Sequence, residues 1–234
     1  MISVIIPTYN EEKNIERCLK SLENQTVPRK EFEIIVVDGQ SKDRTVEIAK
    51  KYADKVIQQK SEGIGGARND GVSVSKGEII ATTDADCIVP TNWLGKITKN
   101  FRDKKVIAVC GTDGPIENRI KARIIFLLIR NFIKFCSHLG LYCLGGTNSS
   151  FRKKEFVKIG GYRNLSHSDD VDLGFRLRKF GKIKYDESLF VKLSTRRMEK
   201  SGYLKTIWIW AKGDINLFLG KNIQTKDSYI KQNY

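Results

Sequence analysis

The chain lacks the cysteine pattern of a stapled or zinc-bound fold. Its five cysteines, Cys18, Cys87, Cys110, Cys136 and Cys143, are odd in number and no two form a Cys-x-x-Cys pair. That argues against a zinc site or a disulfide framework and for a reducing compartment. No stretch of about 18 uncharged apolar residues occurs, so no segment is expected to span a bilayer. The N-terminus reaches Pro7 without a basic n-region or an apolar core, so no secretory signal is expected. Internal repeats, low-complexity runs and Pro/Gly linkers are missing as well. Histidine is scarce, with only His138 and His167. His167, three residues before Asp170, has a place near a site open to it but reads first as a loop histidine. Acidic residues are outnumbered, 27 against 42 Lys and Arg.

What remains is a 234-residue chain, 40% hydrophobic and 29% charged, in the range of one soluble globular domain. Its net charge of +15 implies an anionic partner: nucleic acid, an anionic membrane surface or a phosphorylated substrate. A solvated lysine-rich surface accounts for part of that excess.

Ile2 to Ile6 reads as a buried strand stopped by Pro7. Asn10 is placed to cap a helix in which Ile15, Cys18, Leu19 and Leu22 repeat at i, i+3, i+4 and i+7. Glu33 to Val37 is a second apolar strand, ending in Asp38-Gly39. A helix from Asp43 to Ala53, a strand from Lys55 to Gln58 and a helix after Gly63-Ile64-Gly65-Gly66 follow. Glu78 to Thr83 is a strand that runs into Asp84-Ala85-Asp86. Pro90 stands as first helical residue before Trp93, Ile97 and Phe101, and Val106 to Cys110 is a further strand. Apolar strands alternating with helices predict parallel βαβ units with helices on both faces of the sheet. Ligands gather outside the carboxyl ends of such strands. Pro7 to Asn10, Asp38, Arg68 and Asp84/Asp86 all fall there, which favours a nucleotide site. The Asp-x-Asp pair supplies two hard oxygen ligands suited to Mg²⁺ or Mn²⁺ carrying a diphosphate. Alone, such a pair is also a common surface turn.

In combination these segments resemble the family-2 glycosyltransferases of the GT-A fold. The N-terminal motifs are Ser3-Val4-Ile5-Ile6-Pro7-Thr8-Tyr9-Asn10-Glu11, Ile35-Val36-Val37-Asp38-Gly39, Gly66-Ala67-Arg68-Asn69 and Thr83-Asp84-Ala85-Asp86. The C-terminal ones are Gly145-Gly146-Thr147-Asn148-Ser149-Ser150-Phe151-Arg152 and Asp169-Asp170-Val171-Asp172-Leu173. The resemblance implies one α/β domain with a Rossmann-like, mostly parallel sheet flanked by helices and an amphipathic helical C-terminal part. Residues 1–110 would form the nucleotide-sugar half, 111–200 the acceptor and catalytic half, and 201–234 a helical extension.

The donor set so implied is Pro7, Thr8, Tyr9, Asn10, Glu11, Asp38, Arg68, Asp84, Ala85, Asp86 and Arg197. Tyr9 offers a ring for base stacking, unless it is a strand-end core aromatic, and Asp38 an acceptor for a base N–H. Many relatives carry Asp-Asp where this chain has Asp38-Gly39, which leaves uracil and guanine both open. Arg68, placed at a helix start, would meet the base or the diphosphate. Asp86 would bind the metal directly, with Asp84 at its ribose-facing side. Asp170 stands as the base that takes the acceptor proton, and a single base without a covalent intermediate implies inversion. Asp169 and Asp172 read as supporting or helix-capping carboxylates. Gly146, Thr147, Asn148 and Asp169 would contact acceptor or donor sugar, the glycines also fitting a plain turn. Ser194-Thr195-Arg196-Arg197-Met198 lies where many relatives carry Gln-x-x-Arg-Trp, with Arg197 in register for a diphosphate contact.

Between Arg119 and Phe135 the chain is basic and apolar by turns. On a helical wheel Arg119, Arg123, Arg130 and Lys134 fall within about 60° of one another, with Lys121 opposed. A helix of this kind lies in a membrane interface with its basic residues near anionic headgroups; a core helix with one wet face is the other reading. Tyr203 to Trp210 adds two Trp beside basic residues. The expectation is an inverting, metal-dependent hexosyltransferase that uses a UDP- or GDP-sugar and Mn²⁺ or Mg²⁺. Its acceptor would be lipid-linked or membrane-proximal, and the protein cytoplasmic or peripheral on the cytoplasmic face through 119–135 and 203–210. A soluble acceptor, a sugar nucleotidyltransferase and a nucleic-acid binder are the alternatives. The last leaves the strand-end carboxylates unexplained, since carboxylates without a metal repel phosphate, so no nucleic acid is expected.

Overall fold

The computed structural model describes residues 1–165 and 168–220. Its N-terminal half is the expected alternation. Strand β1 (Ile2–Thr8) is followed by helix α1 (Ile15–Glu23), β2 (Phe32–Asp38), α2 (Thr45–Ala49), β3 (Lys55–Gln58), α3 (Gly63–Ser73) and β4 (Ile79–Thr82). Then come β5 (Cys87–Ile88), α4 (Trp93–Asn100), β6 (Val106–Pro115), α5 (Ile120–His138), β7 (Ser149–Arg152) and α6 (Lys153–Lys158). The chain continues through α7 (Asp169–Leu177), β8 (Lys182–Leu193), α8 (Arg196–Ser201) and α9 (Tyr203–Phe218). The eight strands form one sheet in the order β3-β2-β1-β4-β7-β6-β8-β5. β1 to β4 pair in parallel, whereas β7 runs antiparallel to both β4 and β6.

Every residue of β1 and β2 is buried, as a strand covered on both faces requires. One face packs on α1 and α4 through Ile15, Cys18, Leu19, Leu22, Trp93 and Ile97. The other packs on α3, α6 and α7 through Ala67, Val72, Phe156, Leu173 and Leu177. A third cluster, Ala122, Phe126, Met198 and Tyr203, joins α5 to α8 and α9. The sheet runs without a break from the N-terminal half into the C-terminal half, so site residues from both belong to one layer.

Three local expectations are corrected. Pro7 does not stop β1, which runs on to pair Thr8 with Asp38. β4 ends at Thr82 opposite Ile5, so Pro7 has no neighbour on that flank and its missing N–H costs little. Asn10 does not cap α1, whose first turn follows Asn14. With φ of 52°, Asn10 instead accepts the Lys42 N–H and gives its own N–H to Ser41 Oγ, joining two loops of the site. The helix expected from Asp43 to Ala53 is shortened to Thr45–Ala49, because Asp43 is spent as an acceptor for the Thr45 and Glu12 N–H groups. That is the local competition by which Asp favours turns over helix interiors.

Candidate active site

The ends of β1 and β2 build one wall. Asp38 is buried and accepts the Ser41 N–H at 2.9 Å and the Ser41 hydroxyl at 2.5 Å, which fixes its carboxylate at the strand end. A side chain at Gly39 would meet Gln59 Oε1 at 3.1 Å and the Thr8 carbonyl at 3.4 Å. A second Asp there would crowd the end of the Gln59 side chain. Tyr9 and Thr8 adjoin this point, and the Thr8 hydroxyl is buried without a partner.

The acidic pair follows β4. Asp84 accepts a hydrogen bond from Arg68 Nη2 at 2.8 Å. Arg68 lies inside α3, not at its start, and is 4% exposed. Its reach toward a base or diphosphate is thereby corrected: the guanidinium is covered by Gly146, where a Cβ would lie 1.8 Å from Nη2. Arg68 positions Asp84. Asp86 is buried, and burial pushes its carboxyl up to about 6, with Asp84 and Glu11 adding to the rise and Arg197 and Arg196 opposing it. The Arg196 guanidinium lies 3.5 Å from it.

These residues fit a divalent cation. Two carboxylates meet at a strand end, and a buried carboxyl held out of its usual range is stabilised as the anion by added positive charge. Among the described residues no three His, Cys, Asp or Glu side chains converge as a metal cage. The remaining ligands would be phosphate and water oxygens, the habit of Mg²⁺ and Mn²⁺ sites that carry a nucleotide.

Glu11 is not laid out for a nucleotide. Its buried carboxylate pairs with Arg196, lies 3.5 Å from Arg197 Nη2 and accepts the Asn14 amide, while its N–H donates to Thr45 Oγ1. An anion so placed holds α8 against β1. The same arm is fixed by Glu117, which accepts from the Ser194 hydroxyl and from the Thr195 N–H and hydroxyl. The Ser194 N–H reaches the Asp86 carbonyl at 3.2 Å.

Across the sheet, α7 brings three carboxylates. Asp170 accepts the Cys143 thiol at 3.0 Å and the Val171 N–H at 2.9 Å. Burial, with Asp170 next, keeps that thiol protonated and therefore a donor. Asp169 is pushed up to about 6 by burial, then by Asp170, and its Oδ2 is buried without a partner. Asp172 is spent on Arg176 at 2.6 Å and Arg163 at 3.3 Å, which makes it structural. Asn148 is corrected too. Its amide gives both N–H groups to the Thr112 and Leu189 carbonyls at 2.8 Å, and its oxygen accepts Trp93 Nε1–H. Buried and so bonded, that side chain fixes the loop that carries Gly146 and Thr147. His167 lies outside the described residues.

The chain matches the family described as Glycosyl transferase family 2 over residues 3–160, well over half of its length. It belongs to that family. A poly(ribitol-phosphate) beta-glucosyltransferase of Bacillus spizizenii is 44% identical over 214 residues, covering 77% of this chain and 33% of the relative. The glycosyltransferase AglE of Haloferax volcanii is 40% identical over 99 residues, 40% of this chain and 33% of that protein. The chain thus spans about a third of the length of these relatives. Among solved structures, Staphylococcus aureus TarS in complex with UDP-GlcNAc has a TM-score of 0.64 at 24% identity, over 80% of this chain and 56% of that one. The Pyrobaculum calidifontis mannosyltransferase PcManGT, in complex with GDP-Man and Mn²⁺, gives 0.66 at 23%, over 83% and 56%. The GT-A fold follows from these two likenesses.

Within this family-2 site, the sequence reading missed four side chains. Arg196 joins Arg197 over the acidic pair, and adjacency to Arg197 was the available signal. Cys143 touches Asp170. Asp214 of α9 bonds the Ser168 hydroxyl and is raised by burial, with Asp170 adding to the rise. Asp113 of β6 accepts the Thr147 hydroxyl at 2.6 Å. Thr147 and Asp113 lie far apart in sequence, and only the β6–β7 pairing brings them together.

Proposed function

We propose that this chain carries the catalytic centre of an inverting, divalent-metal-dependent glycosyltransferase that moves a hexosyl group from a UDP- or GDP-sugar to an acceptor hydroxyl. The observation that carries the reading is the opposition of two carboxylate sets across one sheet edge. Asp84 and Asp86 stand at the end of β4, while Asp169 and Asp170 open α7, and Arg68, paired with Asp84, also acts by its charge on Asp169. Residues 1–110 supply the donor side, 111–200 the acceptor side and 201–234 the extension.

Asp38 accepts a base N–H and Tyr9 stacks on the base, as the end of β2 beside Thr8 allows. Asp86, with Asp84, would hold Mn²⁺ or Mg²⁺, which would supply positive charge to offset the diphosphate leaving group. Arg196 and Arg197 add positive charge on the open side of the same pair. Asp170 receives the proton of the attacking hydroxyl at a carboxylate already oriented by the Cys143 thiol and the Val171 N–H. One displacement at the anomeric carbon inverts its configuration.

The acceptor is membrane-proximal in this reading. The outward face of α5 is apolar, with Ile124, Leu127, Leu128, Phe132 and Phe135 all exposed, Leu128 and Phe132 by 63% and 67%. On α9, Leu204, Trp208 and Trp210 are exposed as well. The basic stripe is one shoulder of this face rather than its centre: Arg119 pairs with Glu199 and Lys134 with Glu187, while Arg123 is exposed. An apolar band with a basic shoulder suits an anionic lipid interface. No described helix is long and apolar enough to cross a membrane. A second reading, favoured by the Bacillus spizizenii match and the +15 charge, takes a polyol-phosphate chain as acceptor.

UDP or GDP with Mn²⁺ should raise the melting temperature while duplex DNA leaves it unchanged. A shift with DNA alone would remove the transferase reading.

A further inference from the structure

Asp113 sits on β6 opposite Val191 of β8. One carboxylate oxygen, Oδ2, accepts the Thr147 hydroxyl; the other, Oδ1, is buried and has no partner. A buried carboxylate oxygen without a donor is costly unless a ligand supplies one. The Asn148 amide is the neighbouring donor, and its hydrogen bonding helps hold the carboxyl down, but its N–H groups are aimed at the Thr112 and Leu189 carbonyls at 2.8 Å. Those bonds tie the residue before Asp113 to β8, so the carboxylate cannot turn away cheaply.

Its position is tied to the donor side. Thr147 follows Gly146, Gly146 covers Arg68, and Arg68 holds Asp84. Asp84 is near enough that its charge, after burial, helps raise the Asp113 carboxyl to about 6. Asp113 therefore lies beside the Thr147 loop and within electrostatic reach of Asp84. In the transferase reading the sugar ring of the donor comes between the acidic pair and that loop. A sugar hydroxyl is a neutral donor, which suits an oxygen already close to another carboxylate. A metal suits it less, since no third carboxylate converges with Asp84 and Asp86 among the described residues.

We propose that Asp113, oriented by Thr147, is the specificity residue that accepts a hydrogen bond from a hydroxyl of the donor sugar. The inference rests on the transferase reading above. Sites built to bond a substrate hydroxyl discriminate strongly against ligands that lack it, because the polar group is then stranded.

The test is calorimetry on the full chain with Mn²⁺, comparing UDP and GDP with a panel of their sugar conjugates. The wild type should bind at least one conjugate more tightly than its parent diphosphate. Asp113→Ala and Asp113→Asn should erase that preference, a loss of about 10–100-fold for the conjugate, with affinity for the bare diphosphate unchanged. Thr147→Val should give a smaller loss in the same direction. Retained diphosphate binding doubles as the check that the variants fold. Equal weakening of diphosphate and conjugate would place Asp113 in the metal site or the scaffold and overturn the proposal. So would an unchanged preference in both Asp113 variants, or a wild type that shows none. A wild type that binds neither diphosphate would overturn the transferase reading itself, and this inference with it.

Discussion

The two walls of the cleft are finished to different degrees. On the donor wall, Asp38 has Ser41, Glu11 has Arg196 and Asp84 has Arg68. On the facing wall, Asp113 and Asp169 each keep a buried carboxylate oxygen without a partner. The donor wall lies at the ends of strands buried on both faces, while the facing wall is assembled from β6, a glycine-bearing loop and the start of α7. A wall whose carboxylates are already paired is preorganised for a ligand, although the Thr8 hydroxyl at its end is buried without a partner. One with stranded acceptors has its polar demand met only when hydroxyl-bearing ligands arrive. The comparison predicts that damage to the two walls separates into different measurements.

The largest effect should come from the facing wall. Asp170→Asn keeps size and most hydrogen bonds but cannot accept the acceptor proton. Sugar transfer should fall on the order of 10²–10⁴-fold, with nucleotide affinity retained. Asp172→Asn should show mainly as lost stability, since Arg163 and Arg176 lose their partner. Steady-state rates beside calorimetry decide this, and near wild-type turnover in Asp170→Asn would move the base to Asp169.

The donor wall should fail in binding instead. Asp86→Ala should abolish Mn²⁺-dependent binding of UDP or GDP, while Asp84→Ala weakens it less because Arg68 and Asp86 remain. If Asp86→Ala binds nucleotide and metal like the wild type, the acidic pair is not the metal site.

This division also marks what the sequence allowed. The strands β1, β2 and β4 were legible because largely apolar runs ending in Asp or Thr leave few alternatives, and the buried stripe Ile15, Cys18, Leu19 and Leu22 was legible from its period. The errors lie where side chains override local pattern. Asn10 had the chemistry of a cap, and its pairing with the 41–42 loop cannot be seen without the fold. Arg68 looked like a helix-start cation because the residues of α3 before Ala67-Arg68 are Gly63-Ile64-Gly65-Gly66, three of them glycines, poor helix formers that the tertiary packing nonetheless winds into helix. Asp113 carried no local signal, since its meaning depends on Thr147 arriving from β7's side of the sheet.

The outer face of α5 offers a third, smaller separation. Leu128→Glu with Phe132→Glu should cut binding to anionic vesicles by at least about tenfold, since burial of such side chains contributes roughly 1.5–3 kcal/mol each. Mn²⁺-dependent nucleotide affinity should be untouched. High salt should release the wild type from the same vesicles. Full co-sedimentation of the double variant would assign this face to another occupant.

The smallest effect is a pH slope, to which Asp113 of the facing wall contributes beside Asp169 and, on the donor wall, Asp86. Burial raises Asp113 to about 6, above the usual 3.8. A carboxyl whose folded pKa is raised binds more protons folded than unfolded. Its neutral form therefore supports the fold fully at low pH, and that contribution is lost as pH rises through about 6. Carboxylates lowered by hydrogen bonds, such as Asp43 and Asp70, act in the opposite direction, but they are already ionised in both states above pH 5. Between pH 5 and 7.5 the melting temperature of the nucleotide-free protein should fall, and Asp113→Asn should fall less. Asp113 is partly accessible, so the difference should be on the order of 1 kcal/mol, about 2–4 °C for a chain of this size. Thermal scans at half-unit intervals measure it. Parallel slopes for the two proteins would mean that the Asp113 carboxyl titrates in its ordinary range and carries no burial penalty for a sugar to relieve.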